Sequence, residues 1–155
     1  MRCQRTDQQL AKARHLAARD GYAGVRFETG YIEEAPVPDR CADVLISNGV
    51  INLCTDKAAV FGEIARILRP GGRMAISDIV TERQLTEAIV CDVNLWASCI
   101  GGAMQEDDYR GAIEEAGLGI VKVQENPEYQ FISDSAQGAT ETFGVKSVSV
   151  LASKS

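Results

Sequence analysis

The sequence contains no G-x-G-x-x-G loop, no C-x-x-C pair, a single histidine and no long apolar run. Each absence bears on a class of protein. With His15 as the one imidazole and no cysteines at ligand spacing, a structural zinc site, which needs four ligands close in sequence, is disfavoured. The five cysteines, Cys3, Cys41, Cys54, Cys91 and Cys99, are odd in number and scattered, which suits a reducing compartment better than a disulfide framework. There is no Lys/Arg run, and a net charge of −6 with a pI near 4.8 argues against a nucleic-acid partner. No apolar stretch approaches the roughly 18–20 residues that cross a bilayer, and "MRCQRTDQQL" has no apolar signal region. No membrane partner is expected, and a cytoplasmic location is.

What is present reads as one domain. The 155 residues show no repeat, low-complexity tract or dividing linker, and 45% hydrophobic with 25% charged residues is ordinary for a folded chain. A chain of this length buries about 68–70% of its unfolded surface. Helix and strand patterns alternate. Thr6 can cap a helix to about Arg19 with Leu10, Ala13 and Ala17 on one face and His15 off it, ended by the glycines of "DGYAG". "VRFET", Val25 to Thr29, alternates like a strand, and "ADVLIS", Ala42 to Ser47, reads as a strand covered on both faces. The loop between them carries Pro36 and Pro38.

Thr55 or Asp56 opens a helix whose inner stripe is Val60, Phe61, Ile64, Ile67 and Leu68, and Arg69-Pro70-Gly71-Gly72 ends it. Strand "RMAISDI" follows. From Gln84 to about Ile100, the residues Leu85, Ile89, Trp96, Cys99 and Ile100 recur at helical spacing, and Gly101-Gly102 breaks the pattern. A helix from about Glu106 to Ala116 stops at Gly117. Two strands remain, Ile120 to Gln124 and Val145 to Ala152, with a helical turn expected near Ala136 to Phe143. The expected fold is α/β, a mostly parallel sheet with a C-terminal antiparallel pair.

Three stretches carry a family resemblance. "ADVLISNGVINL", "AVFGEIARILRPGGRMAISD" and "LWASCIGGAMQEDDYRGAIEEAGL" resemble class I S-adenosylmethionine-dependent methyltransferases, and within them the arsenite methyltransferases. The match runs from about Thr6 to the C-terminus. The resemblance implies an incomplete Rossmann-like methyltransferase fold, because the family's first strand and glycine-rich cofactor loop have no counterpart in these residues. Gln4 stands where the family has the acid that holds the ribose hydroxyls, and a neutral amide loses the charge-assisted bonds of a carboxylate.

Ligands of α/β sheets bind outside the carboxyl ends of strands, which places Asn48, Gly49, Val50 and Asn52 where a cofactor and substrate would lie. A bland reading of "SNGV" is a strand-ending turn with glycine at positive φ. Ile32 and Glu33 resemble the positions that flank adenine; alternatively Glu33-Glu34 is an exposed acidic pair. The cofactor implied is S-adenosylmethionine, bound weakly or not at all by this chain. Trivalent arsenic, the substrate implied, is soft and takes several thiolates. The resemblance puts two of these at Gly49 and Cys99, and only Cys99 is a cysteine. The helical stripe it shares with Trp96 and Ile89 equally fits a core cysteine. Methyl transfer from a sulfonium is an in-line displacement that demands alignment rather than a general base, so the lack of a nearby histidine does not exclude it.

The expected function is therefore that of a truncated arsenite-methyltransferase-like protein with impaired activity as a lone chain. The alternatives are a non-catalytic binding or regulatory remnant and one half of a split methyltransferase completed by a partner chain. Without the family's first strand, Ala42 to Ser47 has an open edge and uncovered Val44, Leu45 and Ile46. A homodimer through that edge is expected in preference to Val25–Thr29 moving across to pair with it.

Overall fold

The computed structural model describes residues 7–155. Gln4 and the cap expected at Thr6 lie outside them. Helix α1, Asp7–Arg19, buries Leu10 and leaves His15 exposed. The expected strand at Val25–Thr29 does not form: the segment has no ladder partner among the described residues, and Val25 is exposed. Alternation favours a strand only when a neighbouring strand takes its backbone bonds, and here Arg14 Nη2 donates to the Phe27 carbonyl instead, at 2.9 Å.

Strand β1, Ala42–Asn48, leads through a 3-10 turn at Ile51–Leu53 into α2, Lys57–Ile67. Asp56 caps α2, its carboxylate accepting the Ala59 N–H at 2.9 Å. Strand β2, Leu68–Thr81, starts before the Pro-Gly-Gly turn rather than after it, because the turn bulges out of the ladder. Ala42 pairs with Leu68 and Val44 with Arg73, so the residues between Leu68 and Arg73 loop outward, with Gly71 at φ 77°.

The helix expected over Gln84–Ile100 is two short ones, α3 at Glu87–Val90 and α4 at Val93–Ala97. Asp92 divides them. Its carboxylate accepts the N–H groups of Asn94 at 2.7 Å and Leu95 at 3.1 Å, a local alternative to continued helix that short acidic side chains favour. Then come β3 at Met104–Gln105, α5 at Glu106–Glu115, β4 at Leu118–Glu125, α6 at Asp134–Phe143 and β5 at Lys146–Lys154. Helix α6 is longer than the single turn expected. Ser133 caps it, and Gly144 closes it in the left-handed conformation at φ 64°.

The sheet runs β1-β2-β5-β4, with β3 beside the end of β2. β1 and β3 run parallel to β2, and β5 is antiparallel to both β2 and β4, which gives the expected C-terminal antiparallel pair. One face is closed: Met74, Ile76 and Val80 of β2 pack with Phe61 and Ile64 of α2 and with Tyr109 and Ile113 of α5. On the other face, a second apolar cluster of Ile79, Leu95, Ile100, Ala136 and Ala139 covers the end of β2.

Further along that second face the sheet is open. Val44 is 57% and Ile46 78% exposed, so β1 is covered on one face and not on both as its continuous apolar run suggested. Leu45, paired with Met74, points to the closed face and packs there. Among the described residues β1 pairs with β2 alone, leaving its outer edge unpaired. Met74→Ala should therefore lower unfolding free energy by about 2–5 kcal/mol, the usual cost of a core cavity. Ile46→Ser, on the open face, should change it by less than about 0.5 kcal/mol. Urea denaturation checks both, and equal losses would contradict the one-sided sheet.

Candidate active site at the carboxyl ends of the first two strands

The chain leaves β1 by a sharp turn. Gly49 sits at φ 64°, where a side chain would be strained, and its N–H extends the ladder by donating to the Ser77 carbonyl at 2.9 Å. The next residues fold over the end of the sheet and bring Asn52 wholly inside. Its Nδ2 donates to the Ile79 carbonyl at 2.6 Å and to the Cys99 carbonyl at 3.3 Å. Lys57, at the first turn of α2, is 5% exposed, and its ammonium donates to the carbonyls of Cys54 at 3.0 Å and Gly102 at 2.6 Å.

Cys99 is not on a helix. It lies in the turn after α4 at φ 61°, partly buried against the second cluster, with its thiol donating to the Gly49 carbonyl at 3.5 Å. The two positions that the family resemblance gave to arsenic ligands thus meet across 50 residues of sequence. The continuous helix expected to align Cys99 with Trp96 and Ile89 is broken at Asp92, yet Cys99 and Ile89 both pack against the second cluster, as a core cysteine would. Close packing shapes the turn: a Cβ on Gly101 would strike the Trp96 ring, and one on Gly102 would strike the Asn52 carbonyl. The Trp96 indole N–H in turn donates to the Val90 carbonyl.

Beneath this loop lies a charged group that sequence reasoning missed. Asp78, 3% exposed, accepts the Tyr109 hydroxyl at 3.2 Å, and the Lys57 ammonium is near enough to favour its ionised form. Burial pushes the Asp78 carboxyl up to about 6 against that help, pulls the Lys57 ammonium down, and raises the Tyr109 phenol. Asp78 Oδ1 and Asn52 Oδ1 have no hydrogen-bond partner among the described residues. The signal was an acid inside "RMAISDIV", otherwise a buried strand, and a lysine on the inward side of an apolar helix.

The remaining predicted positions are distributed as follows. Asn48 and Val50 are exposed beside Gly49. Asn48 also lines a cavity on the open sheet face with Ile46, Ser77 and Ser149. Ile32 packs against the main core, and Glu33 Oε2 is buried without a partner among the described residues, so Glu33 is not simply a solvated acid. That turn is held from α2: Glu63 Oε1 accepts the Ala35 N–H at 2.7 Å, and Arg66 Nη2 donates to the carbonyls of Ala35 at 3.2 Å and Val37 at 2.9 Å. The ion pair with Arg66 holds the Glu63 carboxyl below its ordinary range.

Residues 4–117 match the family model of a methyltransferase domain. The chain belongs to that family. It is 38% identical over 130 residues to the arsenite methyltransferase of Halobacterium salinarum, covering 83% of this chain and 33% of that protein. It is also 38% identical over 138 residues to the arsenite methyltransferase of Aquipseudomonas alcaligenes, covering 84% and 40%. Among solved structures, the arsenic(III) S-adenosylmethionine methyltransferase of Chlamydomonas reinhardtii superposes with a TM-score of 0.74 at 28% identity, over 96% of this chain and 52% of that one. The methyltransferase domain described here therefore spans about a third to two-fifths of those curated relatives.

Set against S-adenosylmethionine, the cofactor of this family, the described residues fit one side only. Asn48, Gly49 and Val50 adjoin at the end of β1, whose outer edge has no neighbouring strand among the described residues. They do not make a cradle that closes round the cofactor.

Asp78 gives this site a pH signature. An aspartate near 3.8 when unfolded and about 6 when folded contributes stability below pH 3.8 that is lost as the pH rises through about 6. The difference corresponds to about 3 kcal/mol. Asp78→Asn, which can still accept from Tyr109, should remove that part of the pH dependence. Urea midpoints of both proteins between about pH 4 and 7.5 test it. Parallel curves would mean that Asp78 is ionised as readily folded as unfolded.

Proposed function

We propose that these 155 residues carry the substrate-facing part of an arsenite-methyltransferase-like domain and that, taken alone, they have impaired activity or none. The observation that carries this reading is the meeting of Gly49 and Cys99. Two positions associated in the family with thiolate ligands adjoin at the end of β1, but only one presents sulfur. A single thiol cannot chelate a soft trivalent centre, so arsenic would be held with monothiol affinity. S-adenosylmethionine would be held weakly, because the described residues fit it on one side only and catalysis of an in-line methyl transfer depends almost wholly on positioning.

The unpaired edge of β1 favours a second reading, in which another polypeptide supplies the adjacent strand and the cofactor loop. Both readings make the same forecast for the chain by itself. Calorimetric titration with S-adenosylmethionine should give no binding at micromolar or tighter affinity, and incubation with arsenite and the methyl donor should yield no methylated arsenic by mass spectrometry. Cys99→Ser should alter arsenite affinity little. Micromolar cofactor binding, or methylated product, would overturn the proposal of impaired activity. Activity that appears only on adding a second polypeptide would select the split-enzyme reading.

A further inference from the structure

The end of the sheet joins two irregular segments, the loop from Gly49 to Asp56 and the turn from Cys99 to Gly102. Irregular backbone that meets in an interior must find donors for its carbonyl groups, since a buried unpaired carbonyl loses its hydrogen bonds to water without replacement. Here the donors are Asn52, a side chain of the loop, and Lys57, the first residue of α2. Asn52 Nδ2 reaches the Cys99 carbonyl, and Lys57 Nζ reaches the Gly102 carbonyl, so the turn is gripped at its first and last residues. Each donor also holds a second carbonyl, that of Ile79 in β2 for Asn52 and that of Cys54 for Lys57, which fixes where the donor stands. Between the grips, Cys99 adopts φ 61°, a conformation that a non-glycine residue keeps only when its surroundings impose it.

We propose that Asn52 and Lys57 are positioning residues for the Cys99 thiol: by clamping the Cys99–Gly102 turn they hold the sulfur over Gly49 at the carboxyl end of β1. Neither side chain is the group that touches the thiol; both act through the backbone of the turn. The absence of a Cβ at Gly102 belongs to the same device, because the Asn52 carbonyl occupies the space a side chain would need. This deepens the reading of the site given above and rests on it for its purpose. Its test involves neither methyl donor nor arsenic, so the two can fail separately.

Iodoacetamide labelling followed site by site with peptide mass spectrometry reads the position of each thiol directly. Cys54 is wholly buried in the main core and reports on global opening, while Cys41 and Cys91 are exposed and report on reagent strength. In Asn52→Ala, Cys99 should label about tenfold faster than in the natural sequence, the change expected for loss of the one hydrogen bond by which Asn52 holds the turn, with Cys54 still protected. Lys57→Met should act likewise, and Lys57→Arg, which keeps its donors, should restore the slow rate. Gly102→Ala displaces the turn with both donors in place and should give the same selective acceleration. The proposal falls if Cys99 keeps its natural rate in Asn52→Ala and Gly102→Ala. It falls equally if Cys54 opens in step with Cys99 in both, since the two donors would then support the whole domain and not the turn.

Discussion

The arrangement at the end of the sheet depends on four backbone carbonyls having donors. The carbonyls of Ile79, Cys99, Cys54 and Gly102 accept between them from two side chains, Asn52 and Lys57. Asn52 and Lys57 are suited to this in different ways. The asparagine amide offers two donors in a fixed plane, while the lysine ammonium offers three on a flexible stem and can serve two acceptors at an angle. Because the donors sit on the loop after β1 and on the first turn of α2, the Cys99 turn is referenced to the parallel β1–β2 pair.

Placing an ammonium there has a consequence deeper in the fold. Lys57 cannot remain charged in an apolar interior without compensation, and Asp78 on the closed face of β2 provides it. Asp78 in turn needs a donor, which is the Tyr109 hydroxyl of α5. The Tyr109 ring packs edge-on against Phe61 of α2, with centroids 5.2 Å apart and planes at 89°. A chain of interactions thus runs from the Cys99–Gly102 turn to the middle of the core, electrostatic between Lys57 and Asp78 and direct from Asp78 through Tyr109 to Phe61. Burial raises the carboxyl and lowers the ammonium, so this pair is a cost carried by the fold at neutral pH. What it secures is a fixed meeting of two loops.

Much of this architecture was legible because periodicity and stop signals reflect local physics. The inner stripe of α2, the halt of α5 at Gly117 and the antiparallel β4–β5 pair follow from apolar spacing and from glycine and proline chemistry. Reading failed where a tertiary partner decides the outcome. Val25–Thr29 alternates correctly but has no strand beside it, and β1 has a run of apolar residues that suits two covered faces while one stays open. Cys99 was misplaced because helical spacing passes unnoticed over Asp92, whose side chain ends one helix and begins another. Within the site, family resemblance pointed to Gly49 and Cys99 as neighbours, whereas the roles of Lys57 and Asp78 depend on a depth of burial that spacing does not reveal. Asn52, expected to face the substrate, is wholly buried and donates to the Ile79 and Cys99 carbonyls, a role that spacing does not reveal.

The same sheet also limits what the clamp can accomplish. Rigid placement of a thiol helps an in-line transfer only if the donor carbon is held as firmly on the opposite side, because the gain from positioning belongs to the pair of reacting atoms and not to either alone. On this domain one side is fixed by buried bonds to the core, and the other borders the unpaired edge of β1 and exposed Val44 and Ile46. Covering that corner would bury apolar surface at about 25 cal/mol per Å² and satisfy an unpaired backbone edge. The forces that would cover the exposed apolar corner are therefore the same ones that would pair the edge of β1 left without a neighbour among the described residues.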